Sequence, residues 1–118
     1  MKSIAKIAVS LIVLSIMLMP VAYALSVYDV EYDHDDRTVE FEFDRRVRYK
    51  STKVVITDTV TGKKVSSSIR KKDNDDIKVR VSKRLTQGRT YRYKITNVSL
   101  RSARNWQTLT GTFVAWDD

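Results

Sequence analysis

The chain has 118 residues, with 22 lysines and arginines against 14 acidic residues, a single histidine and no cysteine. That composition excludes a disulfide framework and any metal centre built from cysteines or several histidines. The formal charge of +8 favours anionic partners and solubility and says nothing about fold.

The first element in chain order is an address. MKSIAKIAVSLIVLSIMLMPVAYA has two lysines, an apolar middle and the small-x-small triplet Ala22-Tyr23-Ala24, the pattern of a signal peptide cut after Ala24. The apolar run from Ile7 to Met19 is shorter than the ~20 residues needed to span a bilayer, so a released protein is expected, secreted or associated with the cell envelope. Residues 1–24 are therefore read as the signal and 25–118 as one domain. Lys2 and Lys6 leave with the signal, which lowers the net charge from +8 to +6, and all three methionines leave too.

The exported portion has a period of two. Tyr28, Val30 and Tyr32 alternate with Asp29 and Glu31, and Val39, Phe41 and Phe43 alternate with Glu40 and Glu42, so the Asp-rich DHDDR between them closes a hairpin. STKVVITD follows, then a turn containing Gly62, then VSSSI, the DNDD turn and IKVRV. After Leu85 and Gly88, TYRYKITNV places Tyr91, Tyr93 and Ile95 on one face, and LTGTFVAW closes the chain. Seven short strands with no interior proline and no helical period predict an all-β chain.

VEFEFDRRV, STKVVITDTVTGKKV, IKVRVSKRLTQGRTYRYKITNV and LTGTF together resemble the surface Ig-like domains of bacterial and archaeal surface-layer and cell-envelope proteins. The resemblance covers nearly all of the exported portion. It implies a seven-stranded Ig-like or fibronectin III-like β-sandwich, with the first, second and fifth strands in one sheet and the third, sixth and seventh in the other. It also implies that Leu85, Gly88 and Tyr91 form a corner in which the Tyr91 hydroxyl ties down a loop. Arg104-Asn105-Trp106 stands where such domains usually have a Gly-Asn turn.

Within that frame Glu40 and Glu42 are expected to pair across the sheet with Lys78 and Arg80. The opposite outer face, carrying Lys53, Val55, Arg92, Lys94, Thr112, Val114 and Trp116, has no such compensation. The loops at one end bring Arg45, Arg46, Arg48, Tyr49 and Lys50 towards Arg101, Arg104, Asn105 and Trp106, a mixture suited to phosphate, sulfate or carboxylate. The ligand-binding candidates are therefore Arg45, Arg46, Arg48, Arg92, Lys94, Arg101, Arg104, Trp106 and Trp116. The expected function is a non-enzymatic adhesion module for a cell-envelope polyanion, an acidic glycan or an acidic protein. The alternatives are a surface-assembly subunit, which would make the protein an oligomer, and an extracellular nucleic-acid binder, although no sequence-reading element supports nucleic acid. No catalytic group, cofactor or metal is expected. His34 stands alone in a turn, copper-carrying domains of similar fold use several His or Met, and neither DHDD nor Asp73-Asn74-Asp75-Asp76 has the spacing of a calcium loop. Asn97-Val98-Ser99 is a glycosylation sequon.

Overall fold

A computed structural model describes residues 24–117; the signal segment ahead of Ala24 lies outside the described residues. Eight strands and no helix are present among them: β1 (Val27–Asp33), β2 (Thr38–Phe43), β3 (Val47–Asp58), β4 (Lys64–Val65), β5 (Ser67–Lys72), β6 (Asp76–Val81), β7 (Thr90–Leu100) and β8 (Gln107–Val114). They form two antiparallel four-stranded sheets, ordered β1-β2-β6-β5 and β4-β3-β7-β8. The protein is thus an all-β sandwich. The expected division of strands between sheets holds, with the two-residue β4 as an addition.

The core lies between the sheets because the inward alternate residues of both are apolar. Val39, Phe41, Ile77 and Val79 from one sheet and Ile56, Ile95 and Val98 from the other are fully buried. Each such side chain contributes roughly 1.5–3 kcal/mol of transfer free energy. Phe41 joins the layers, its ring 5.1 Å from Tyr93 and 6.1 Å, edge-on, from Phe113.

Two tyrosines lock one end of the sandwich. The Tyr91 hydroxyl accepts a hydrogen bond from the Thr86 N–H at 2.9 Å, the corner that the resemblance implied for Leu85, Gly88 and Tyr91, and the Tyr32 hydroxyl accepts one from the Leu85 N–H at 2.9 Å. Gly88 sits in the left-handed region at φ 82°, and a side chain there would meet Trp116. The same end carries Asp58, which accepts from the N–H groups of Val60 and Thr61 and pairs with Arg89 at 2.9 Å. Burial works against its charge, but these donors prevail and hold the carboxyl below its ordinary value.

Bulges move several residues away from the sequence-based expectation. Alternation puts Tyr28 inward, but a shift in the β1–β2 register between Val27 and Asp29 turns it out, leaving it 67% exposed. Arg48, Tyr49 and Lys50, expected in a loop, belong to β3, where positive φ at Ser51 resets the alternation. Asn97, also at positive φ, does the same opposite it in β7, and its carbonyl accepts from the Thr52 hydroxyl at 2.7 Å.

Candidate functional site

The arginine-rich end is half of what the sequence predicted. Arg45, Arg46, Arg48 and Arg101 converge on a concavity of about 430 Å³, completed by Leu100 and Ser102. The convergence is fixed by the backbone: Val47 pairs with Leu100 and Arg48 with Ser99, and the Arg101 N–H donates to the Arg46 carbonyl at 3.0 Å. Arg104 and Trp106 do not line it. Trp106 instead has the Lys50 ammonium 5.9 Å from its ring centroid. Arg92 and Lys94 point outward from β7, level with Thr57 and Val55 of β3 and with Thr112 and Thr110 of β8. Trp116, expected beside them, follows the end of β8, where the chain turns it over Gly88 at the opposite end of the molecule. The nine candidates therefore do not form one site.

The other outer face differs from its expectation more deeply. Glu40 does face Lys78, at 3.6 Å, but Arg80 faces Thr38, and Glu42 faces Asp76 on one side and Asp29 on the other. The register of β6 against β2 is one pair away from the charge-matched alternative, in which Glu42 would face Lys78 and Glu40 would face Arg80; the observed register sets buried Ile77 opposite Phe41 and Val79 opposite Val39. A row of three carboxylates, Asp29–Glu42–Asp76, thus crosses three strands, and Glu31–Glu40–Lys78 runs beside it.

Carboxylate oxygens of Asp29, Glu31 and Glu42 lie within 4.8 Å of one another. Local desolvation, reinforced by Glu42, Asp29 and Glu40, raises the Glu31 carboxyl above its ordinary value. The Tyr28 hydroxyl donates to Glu42 at 2.6 Å, and that bond together with the glutamate charge pushes the phenol up to about 12. Asp76 is raised by desolvation and by Glu40, Asp73 and Asp75, and its buried Oδ1 has no hydrogen-bond partner. Next to this cluster, and sharing Glu31 with it, is a concavity of about 190 Å³ lined also by Asp33, Asp36, Glu40, Asp117 and Lys78. Sequence reasoning missed the cluster. Its signal was the pairing of Asp-x-Glu with Glu-x-Glu across a short turn, which stacks like charges once the strands pair.

No family model matches the chain, and no curated protein matches it. Among solved structures it is similar to CopC from Methylosinus trichosporium OB3b, with a TM-score of 0.53 and 19% identity, over 77% of this chain and 92% of that one. The sandwich fold is shared. The expectation of a polyanion-adhesion module, with its assembly and nucleic-acid alternatives, is corrected by this likeness, because the fold that the chain shares is that of CopC. The physical reason for the error lies in the unpaired bases: they dominate the net charge, whereas the carboxylates, fewer in number, are concentrated in register. No helix among the described residues is long and apolar enough to cross a membrane.

Proposed function

We propose that the protein is an exported β-sandwich that binds a hard divalent cation through the carboxylates of β1 and β2. The observation that carries this reading is the set of Asp29, Glu31 and Glu42 oxygens within 4.8 Å of one another. Like charges placed directly across a sheet destabilise it, and a cation between them reverses the sign of that interaction. Oxygen ligands suit calcium, magnesium or manganese. A soft or borderline metal is a poor fit: the one histidine, His34, has its Nδ1 2.9 Å from the Tyr32 hydroxyl, and the chain has no cysteine. Export is supported by the signal pattern of residues 1–24 and by the fold shared with CopC.

Scanning calorimetry with added calcium, and separately with cupric ion, tests the reading. Calcium is expected to raise the melting temperature at roughly millimolar concentration, as for open extracellular sites. Glu42→Gln should abolish that response while leaving the metal-free protein at least as stable as wild type. An equal calcium response in wild type and Glu42→Gln, or a response to cupric ion alone, overturns it.

A further inference from the structure

The arginine-lined concavity is left unused by a cation-binding role, and we propose that it takes one small tetrahedral oxyanion, of the size and charge of inorganic phosphate or sulfate. Four guanidinium groups in one concavity repel each other, and no carboxylate lines it. Among the described residues no salt bridge reaches Arg46, Arg48 or Arg101. In the Asp73–Asp76 turn, Asp73 pairs with Lys71 at 3.1 Å, and Asn74 accepts from the Arg101 guanidinium at 3.2 Å. That bond holds the Arg101 fork in place with its other N–H groups available. Arg45 already has an interaction of its own and is not needed for the argument.

The guanidinium fork donates paired N–H groups to two oxygens of one anion, which an ammonium cannot do, and several forks converging from two strands suit a tetrahedral group. The two walls are clamped by strand pairing and by the Arg101–Arg46 backbone bond, so little ordering is required on binding. Buried Leu100 lines the concavity and lowers local solvation, which strengthens charge-assisted bonds. The lining is confined to residues 45–48 and 100–102 and does not continue into Arg92 and Lys94. The ligand is therefore a single ion, and the site differs in kind from a polymer track along the sheet.

The test is titration calorimetry of the full chain with inorganic phosphate and with sulfate at constant ionic strength, using chloride as the control. One saturable site is expected for the tetrahedral dianions and none for chloride. Arg46→Ala and Arg101→Ala should each weaken binding about tenfold, the loss of one charge-assisted pair. The Arg92→Ala/Lys94→Ala double variant should bind as wild type, and a melting temperature within a few degrees of wild type verifies that each variant folds. Phosphate heats indistinguishable from chloride overturn the proposal, and so does equal weakening by the Arg92/Lys94 pair. Because the probe is an anion and the variants lie outside the carboxylate rows, failure here is separable from failure of the cation site.

Discussion

Two aspartates at opposite ends of the sandwich show what each end is built for. Asp58 accepts from two backbone N–H groups and Arg89, and its carboxyl is held below its ordinary value. Asp76 has an Oδ1 without a partner, faces Glu42 across the sheet, and is pushed above it. Around Asp58 every device closes structure: two tyrosine hydroxyls capture loop N–H groups, and Trp116 covers Gly88. Around Asp76 like charges are gathered, carboxylates on the sheet face and arginines between the loops. Satisfied groups at one end supply the stability that an electrostatically unfavourable arrangement at the other consumes, and local rules are typically broken where a ligand is held.

The largest expected effect is at the closed end. Tyr91→Phe and Tyr32→Phe each strand a loop N–H and should each cost about 1–3 kcal/mol in urea unfolding. Losses below a few tenths of a kcal/mol in both would break the contrast between the ends. The two aspartates sharpen it through pH. Asp58 contributes stability above its ordinary value of 3.8 that is lost as pH falls through its lowered folded value, so Asp58→Asn should destabilise at neutral pH and flatten the acid limb. Asp76 has the opposite sign: its folded value lies above 3.8, so stability falls as pH rises through that window, and the penalty is complete at neutrality. Asp76→Asn should therefore gain about 0.2–1 kcal/mol at pH 7, the size of one cross-strand charge pair, and show no gain at pH 3. Denaturant melts at the two pH values check both. The smallest effect is Arg48→Ala, which removes an outward side chain from the concavity and should leave stability within about 0.5 kcal/mol of wild type.

Much of the architecture was legible because it depends on alternation. Val39, Phe41, Ile77, Val79, Tyr91 and Ile95 are inward by alternation and are buried, and the family resemblance implies the corner at Leu85, Gly88 and Tyr91. What stayed hidden depends on register. The bulge at Tyr28, and the paired bulges at Ser51 and Asn97, interrupt the alternation of their strands locally and leave no periodic trace in the sequence. The same limit concealed the candidate site. Glu42 opposite Lys78 and Glu42 opposite Asp76 both keep the apolar residues inward and are equally compatible with the sequence, and the choice between them decides whether the face is neutral or acidic. Arg45, Arg46, Arg48 and Arg101 were legible as a group because loop adjacency follows from topology alone, whereas Trp116 was misplaced because a chain turn after Val114 cannot be read from a strand pattern.

The two tryptophans have a practical consequence. Trp106 sits by Lys50 near the arginine-rich end and Trp116 over Gly88 at the tyrosine-locked end, so each indole samples a different half of the molecule. Replacing one at a time by phenylalanine yields two intrinsically fluorescent versions of the same protein. Their emission traces during chemical unfolding would reveal whether the halves come apart together or one after the other.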